Sequence, residues 1–294
     1  MSLPARTAAA IRIDDEDDHL TALDYKRIAT LIGDEVGIKL PPAKRLMVEG
    51  RLRKRIRVLG LDSFDAYCAY LFKKDGLVAE RPFLINAVTT NKTDFFREPE
   101  HFDCLEQRMV PALLELRRGE RQPMLKIWSA ASSTGAEAYT LAMVLADLAQ
   151  QRADFRFSIL GTDISTAVLE QGQRAVYPAE MISPVPQAKQ SRYLMFARKA
   201  GTRSEVRIVP ELRRLVRFAR LNLMDKSYPF DSDVDIIFLR NVLIYFEKAD
   251  QEAVILKLIK HLRPGGYLVL GHSESMIGTS ITMRQVAPAV FQKP

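Results

Sequence analysis

The chain has 294 residues, which exceeds the usual size of one domain, so we expect two. Its composition, 47% hydrophobic and 27% charged, is ordinary for a globular protein, and no apolar run is long enough for a membrane span. Only two cysteines occur, and the N-terminus carries an acidic cluster where an export signal has an apolar core. We therefore expect a cytoplasmic protein that does not insert into a membrane.

The net charge of +7 is concentrated in one segment. Between residues 39 and 57, eight basic residues accompany one acid, Glu49, an excess of eight minus one, or seven. The basic residues are Lys39, Lys44, Arg45, Arg51, Arg53, Lys54, Arg55 and Arg57. Like charges at this density repel one another, which favours an acidic partner. A solvated basic helix face is the alternative.

The first part of the chain has helical periodicity. Residues 1–20 predict a flexible acidic tail, and residues 21–90 predict a helical domain. The predicted helices are Thr21–Val36, a second from after Pro42 to Gly60, and a third from Ser63 to Gly76.

The rest of the chain, residues 91–294, alternates between strands and helices after the polar connector Asn91–Arg97 and a helix over Pro99–Arg117. The predicted strands are Leu125–Ser129, Phe157–Leu160, Val216–Leu221, Val234–Leu239 and Tyr267–Leu270. The predicted helices between them are Glu137–Gln151, Thr166–Arg174 and Asp250–Leu262. This alternation is typical of a doubly wound α/β fold with a mainly parallel sheet. A proline- and arginine-rich stretch at about 177–212 is interpreted as an insert.

In such a sheet, ligands bind at the carboxyl ends of the strands. The first strand is followed by the small residues Ser129–Gly135, which let a backbone approach a ligand but do not form GxGxxG. Glu137 follows them and suits a ligand ammonium group, although it could simply be a favourable first-turn acid. Asp163, about 25 residues further on at the end of the second strand, is placed to hold a ribose diol. After the third strand, the amide of Asn222 could read an adenine edge.

Two other features of the sequence are given no role in ligand binding. The segment Leu262–Gly266 predicts a helix stop and a turn. The four histidines, His19, His101, His261 and His272, have no metal-ligand spacing, so no metal site is predicted.

Taken together, these segments resemble the chemotaxis receptor methyltransferase (CheR) family. The specific motifs are Asn-x-Thr-x-Phe-Phe-Arg at Asn91–Arg97 and Arg-Asn-Val-x-Ile-Tyr-Phe at Arg240–Phe246, supported by Trp128–Gly135, Thr162–Ile164 and Leu262–Gly266. The resemblance implies a class I (Rossmann-like) methyltransferase sheet with a small antiparallel β insert, preceded by a small all-α domain. It also implies methyl transfer from S-adenosylmethionine to glutamate carboxylates of methyl-accepting chemotaxis receptors, giving methyl esters and S-adenosylhomocysteine.

The resemblance assigns roles to residues on the first half of the site. It implies that Asn91, Thr93 and Arg97 lie over the cofactor, with Arg97 near the sulfonium and the incoming carboxylate, where it would act as a catalytic residue. Glu137 would bind the methionine amino group, and Asp163 would bind the ribose hydroxyls.

It also assigns roles further along the chain. Asn222 and Leu223 would frame the adenine, and Arg240 and Asn241 would line the cofactor pocket. Tyr245 would position the reacting groups as a second catalytic residue.

The chain departs from the family at two positions. Ala136 stands where the family usually has a first Glu, and Ala138 stands where it usually has Pro. We assign the binding role to Glu137, but a shift of one position would place Ala136 there instead.

A glutamate carboxylate is already ionised at neutral pH, so no general base is expected.

A nucleic-acid methyltransferase is one alternative, but it usually has Asn/Asp-Pro-Pro-aromatic where this chain has Arg240–Leu243. A non-catalytic receptor-binding module is another; it would show losses at Arg97, Asp163 or Tyr245, and all three are present.

The resemblance also concerns partners. It implies that the basic helix Lys44–Arg57 docks on receptor cytoplasmic helices. Family members that capture a receptor's C-terminal pentapeptide typically carry a Gly-x-Gly-Pro loop in the insert. This chain has a single glycine and no proline in Ala197–Ser204, so we expect no dependence on that tether.

Overall fold

A computed structural model describes residues 18–152, 154–196, 205–230, 232–276 and 279–294. Most of the expected acidic tail and the whole loop Ala197–Ser204 lie outside the described residues. The chain divides into two compact units, the first ending at Thr89 and the second spanning Thr90–Pro294. None of the described helices combines the length and the apolar character that crossing a bilayer requires.

The first unit is helical. Its described α-helices are α1 (Ala22–Val36), α2 (Arg45–Val58), α3 (Phe64–Lys73) and α4 (Leu77–Val88). The Thr21 hydroxyl caps α1 by accepting from the Asp24 amide, and Gly37, in the left-handed region at φ 71°, ends it. Ser63 caps α3 in the same way, and a 3₁₀ turn over Pro42–Lys44 leads into α2.

The apolar stripe of α2 is buried as its periodicity predicts. It consists of Val48, Leu52 and Ile56. Beside it, Arg55 makes two hydrogen bonds, at 3.0 and 2.7 Å, to the carboxylate of Glu80 on α4, which is only 1% exposed. The Tyr67 hydroxyl also donates to Glu80, at 3.3 Å. A buried carboxylate needs such partners, so Arg55 has a structural function.

Other charges of α2 also have internal partners. Arg51 donates to the backbone carbonyls of Ala87 and Thr89 at 2.9 and 2.7 Å, and Arg53 donates to the carbonyl of Asp18 at 2.7 Å. The interpretation of this helix as a set of mutually repelling free charges is therefore wrong in part. Folding pairs Arg55 with a carboxylate and directs donors of Arg51 and Arg53 to backbone carbonyls, so these three arginines have partners within the first unit.

The second unit alternates between strands and helices. Its described strands are β1 (Met124–Ala130), β2 (Arg156–Asp163), β3 (Val176–Pro178), β4 (Leu194–Phe196), β5 (Glu205–Ile208), β6 (Val216–Arg220), β7 (Val234–Leu239), β8 (Leu262–Leu270), β9 (Arg284–Ala287) and β10 (Val290–Gln292). Its described α-helices are α5 (Glu100–Cys104), α6 (Val110–Leu116), α7 (Ala136–Arg152), α8 (Thr166–Arg174), α9 (Gln187–Tyr193), α10 (Pro210–Arg213) and α11 (Lys248–His261). A π-helical turn over Leu105–Met109 joins α5 to α6, and 3₁₀ turns lie at Ala179–Ile182 and Leu243–Tyr245.

The main sheet has the order β6-β2-β1-β7-β8-β10-β9. The pairs from β6 to β8 are parallel, and β10 and β9 add an antiparallel edge. The strand order reverses between β1 and β7, which places the switch point, where doubly wound folds bind ligands, at their carboxyl ends. The predicted fold class is confirmed, while β9 and β10 were not predicted.

Side-chain alternation along the strands buries both faces of this sheet. On β1, Ile127 belongs to one hydrophobic core and its neighbour Trp128 belongs to the other. Every residue of β7 is buried, as expected for a central parallel strand covered by helices on both sides.

For the segment Leu262–Gly266, interpreted as a helix stop and a turn, α11 does end at His261, with Leu262 as its C-cap, but the segment continues as the first half of β8 and not as a turn. The Gly265 amide donates to the carbonyl of Lys293, and the Lys293 amide donates to the carbonyl of Gly266. Pairing with the C-terminal segment thus extends the strand, and local sequence carries no sign of that distant partner.

The insert forms a separate antiparallel sheet of order β3-β5-β4. Tyr177 on β3 is fully buried, and its hydroxyl donates to the carbonyl of Thr134 at 2.7 Å. This bond joins the insert to the turn that follows β1.

Candidate active site

The turn between β1 and α7 is held in a tight conformation. Ala131 and Ser133 have φ values of 57° and 50°, which non-glycine residues adopt at a cost. Gly135 has φ 86°, and a Cβ there would lie 2.7 Å from the Phe218 ring. Gly135 is therefore required by backbone conformation and by packing against Phe218.

Asp163, at the end of β2, fixes this turn. Its carboxylate accepts hydrogen bonds at 2.9 Å from the backbone amides of Ser133 and Ser165. Burial raises the pKa of Asp163, and the backbone hydrogen bonds oppose that rise. Because each carboxylate oxygen has two lone pairs, the side chain can still accept from a ligand hydroxyl.

Glu137 begins α7 with its carboxylate at the carboxyl edge of the sheet. The hydroxyl of Ser129, in β1, donates to it at 2.7 Å, and the Nε of Arg240 lies 3.5 Å from its other oxygen. Burial raises the pKa of Glu137, while Arg240 and Ser129 oppose the rise. The neighbouring Ala136 is fully buried in the hydrophobic core, so of these two positions only Glu137 reaches the edge.

Arg240 follows β7 and connects several parts of the site. Its side chain is 2% exposed, and its Nη2 donates to the backbone carbonyl of Arg97. The Glu98 carboxylate lies 3.5 Å from the same nitrogen, and Glu137 lies at the same distance from Nε. A buried guanidinium is thus surrounded by two carboxylates and a carbonyl, which offsets its desolvation.

The segment Asn91–Arg97 lies against the turn after β1. The Ser133 hydroxyl donates to the carbonyl of Asn91 at 2.9 Å, and the Phe96 amide donates to the Thr140 hydroxyl at 3.2 Å. Phe95 is fully buried with its ring edge-on to Tyr177 at 5.0 Å. The buried aromatic anchors the polar segment, and Thr93 lies within it, half-buried.

Glu274, which the sequence analysis did not single out, fixes the segment after β7. Its carboxylate, 7% exposed, accepts four backbone amide bonds of 2.7 to 2.9 Å. The donors are Asn241, Val242, Leu243 and Gly271. Burial raises the pKa of Glu274, and these amides oppose the rise. The sequence could have identified Glu274 by its position shortly after a predicted strand, which is the pattern that identified Asp163.

The remaining candidates lie on adjacent loops. Asn222 follows β6, and its side-chain oxygen accepts from the Met224 amide at 3.0 Å. Leu223 is buried, and the preceding Leu221 amide donates to the carbonyl of Asp163 at 2.9 Å, which brings this loop beside the β2 end. The 3₁₀ turn Leu243–Tyr245 carries Tyr245, which is half-buried.

Several buried polar atoms at this edge have no hydrogen-bond partner among the described residues. They are the hydroxyl oxygens of Ser132, Thr134 and Ser165 and the Nη1 atom of Arg240. Buried polar groups are rarely left unpaired, so a polar ligand at the ends of β1, β2 and β7 fits this site.

Two of the four histidines lie together beside the site, although their sequence spacing predicts no such group. The rings of His101 and His272 are 4.7 Å apart between centroids, and Glu98 lies next to both. Glu98 also accepts from the Asn241 side chain at 3.1 Å. Folding joins residues that are far apart along the chain, which spacing alone cannot reveal.

Comparison with known proteins gives matches to both units. Residues 23–89 match the CheR methyltransferase all-alpha domain, and residues 91–290 match the CheR methyltransferase SAM binding domain. The chemotaxis protein methyltransferase 2 of Pseudomonas aeruginosa is 35% identical over 98% of this chain and 99% of its own length. The chemotaxis protein methyltransferases of Borreliella burgdorferi and Salmonella typhimurium are 33% and 39% identical, over 94% and 87% of this chain and 95% and 85% of theirs.

Replacing Glu274 by Gln should destabilise the second unit. One side-chain oxygen becomes an amide donor, so two buried backbone amides lose their acceptor, at a cost of roughly 2–4 kcal/mol. Urea denaturation of the full chain measures the free energy of unfolding. Glu115→Gln, on the exposed side of α6, serves as the matched control and should change it by less than about 0.5 kcal/mol. Equal stability of the two variants would contradict the anchoring role of Glu274.

Proposed function

This chain belongs to the CheR methyltransferase family, and from that premise we propose that it methylates glutamate side chains of chemotaxis receptors in the cytoplasm. The chain is an S-adenosylmethionine-dependent methyltransferase. The observation that carries the proposal is the convergence of Glu137, Asp163 and Arg240 at the switch point of the sheet, beside polar atoms that lack partners.

The cofactor would lie across the carboxyl ends of β1, β2 and β7. Asp163 would accept from the ribose hydroxyls with the lone pairs that its two backbone amides leave open. Glu137 would hold the methionine ammonium group, and the full burial of Ala136 supports this choice between the two positions. Asn222 and Leu223 would frame the adenine, since their loop adjoins the end of β2.

The other side of the cofactor would be covered by the segment that Phe95 anchors. Asn91 and Thr93 belong to this segment, and Arg97 is tied to Arg240 through its backbone carbonyl. Asn241, held by Glu98 and Glu274, would line the pocket with Arg240.

Arg97 and Tyr245 would complete the site by placing the substrate carboxylate. When bound, S-adenosylmethionine supplies a methyl group on a cationic sulfur. The receptor glutamate is ionised at neutral pH, so the protein has to align it and exclude water rather than remove a proton. Arg97 can orient a carboxylate through its planar fork of donors, and a loose contact would leave the oxygen nucleophilic.

The direct test is transfer of labelled methyl from S-adenosylmethionine into membranes that carry a methyl-accepting chemotaxis receptor. We expect label in the receptor that mild base releases as methanol, because carboxylate methyl esters are base-labile. A receptor whose accepting glutamates are replaced by alanine should take up no label. Base-stable label, or equal labelling of the alanine receptor, would contradict the proposed substrate.

Asp163→Asn should weaken binding of S-adenosylhomocysteine, measured by calorimetry, at least ten-fold. The ribose hydroxyls lose a charged acceptor worth roughly 1.5–3 kcal/mol. Asp147→Asn, at a half-buried carboxylate of α7 that pairs with Lys189, is the control and should bind normally. Unchanged affinity in a folded Asp163→Asn protein would remove Asp163 from the cofactor site.

Receptor docking is the second part of the proposal. The charges that α2 leaves exposed include Lys54 and Arg57, which lie one turn apart and so on the same face of the helix. An acidic segment of a receptor cytoplasmic helix would complement this face. We propose that docking on α2 suffices, without capture of a C-terminal pentapeptide by the insert.

Reversing both charges, Lys54→Glu with Arg57→Glu, should raise the KM for receptor several-fold and leave the affinity for S-adenosylhomocysteine unchanged. The wild-type rate should also fall with added salt, since exposed charges are screened over about 8–10 Å at physiological ionic strength. Lys73→Glu with Lys74→Glu makes the same charge change at the exposed end of α3 and serves as the control. Equal KM values for the two double variants would contradict docking through α2.

A further inference from the structure

A cluster of three potential metal ligands lies next to the proposed cofactor site. Glu98 precedes α5, His101 lies in its first turn, and His272 follows β8. One ligand atom from each of the three residues lies within 4.8 Å of the others. The Glu98 Oε2 is 3.5 Å from the His101 Nδ1. Residues from two distant segments thus present two imidazoles and a carboxylate to one point.

His101 gives the second, independent indication. The residue is 1% exposed, and neither ring nitrogen has a hydrogen-bond partner among the described residues. An imidazole buried in this state has exchanged its water for weak contacts with the Glu98 carboxylate, 3.5 Å from Nδ1, and with the backbone of Pro288, which costs free energy unless another group completes it. The methyl-transfer chemistry proposed above makes no use of this ring.

The chemistry of the donor set suits a metal ion. Burial, together with the nearby Arg240 charge, lowers the pKa of His101 to about 4. Burial raises the pKa of Glu98, but the Asn241 hydrogen bond and the Arg240 charge lower it by more, and the net pKa is lowered. Two imidazole nitrogens and a carboxylate form a donor set that Zn²⁺ and similar ions prefer.

We propose that Glu98, His101 and His272 bind one divalent transition-metal ion of the zinc class. Ligand atoms around a tetrahedral zinc lie roughly 3.4 Å apart, so separations of up to 4.8 Å in the cluster have to shorten by as much as about 1.4 Å. The His272 side chain is 45% exposed and is able to move, while His101 is fixed. Glu100, whose carboxylate is 4.0 Å from the His272 Nε2, or water would be the fourth ligand.

The residues around the cluster limit its affinity for the metal ion and determine what binding would do to the site. Arg240 lies 3.5 Å from the Glu98 carboxylate and repels a dication, so we expect a Kd of about 1–100 µM. The ion would cross-link the start of α5 to the loop after β8. Its ligands Glu98 and His272 are 174 positions apart in the chain. These two segments carry Arg97 and Glu274, so the ion would stabilise the border of the proposed site.

Calorimetric titration of the chelator-treated full chain with ZnCl₂ tests the site. The expected result is one ion per chain, with affinity at least ten-fold lower in His272→Gln. His19→Gln removes a histidine from the first unit and should bind like the wild type. Co²⁺ should give the visible absorption of a tetrahedral site in the wild type, and this absorption should be lost in His272→Gln.

The melting temperature gives an independent readout, because an ion that binds only the folded chain stabilises it. Zn²⁺ should raise it in the wild type and in His19→Gln but not in His272→Gln. His272 is the residue of choice because its side chain is partly exposed, so its replacement leaves the core unchanged. Absence of binding at about 1 mM Zn²⁺, or the same affinity in His272→Gln, would overturn the proposal.

Discussion

Arg240 places a positive charge in the interior, at the end of a strand whose residues are all buried. Such a charge is tolerated only if carboxylates and carbonyls replace the water that it loses. The structure provides Glu137 from α7, Glu98 from the segment before α5, and the carbonyl of Arg97. Three separate segments are therefore held at the switch point by one side chain, and the geometry of the site depends on it.

Two further buried acids, Asp163 and Glu274, act on the backbone instead. Asp163 accepts two amide bonds and Glu274 accepts four, so each one sets the conformation of a loop. These loops contain left-handed non-glycine residues, among them Ser133 and Asn241, whose conformations cost free energy. Charge-assisted hydrogen bonds are strong enough to offset that cost. Glu274 contacts no proposed substrate atom, yet it determines where Asn241 lies.

The first unit uses its charges for two purposes. Arg55 stabilises the buried Glu80, and Arg51 satisfies carbonyls near the end of α4, so removing either residue would affect folding. Lys54 and Arg57 are exposed and form the face of α2 that the proposed receptor docking would use. A count of charge along the sequence treats these residues as equal, because it contains no information on which of them meets an acid after folding.

The sequence by itself determined the alternation of strands and helices, the helix ends at Thr21 and Gly37, and the positions of Glu137 and Asp163 after their strands. All of these follow from local periodicity, capping and motifs, which act over a few residues. Only the tertiary structure decided that Leu262–Gly266 extends a strand, that Gly135 packs on Phe218, and that Glu274 anchors the loop after β7. It also decided that His101 and His272 meet beside Glu98. Each of these contacts joins segments far apart in the chain, and their free energy depends on burial and distance, which no local pattern encodes.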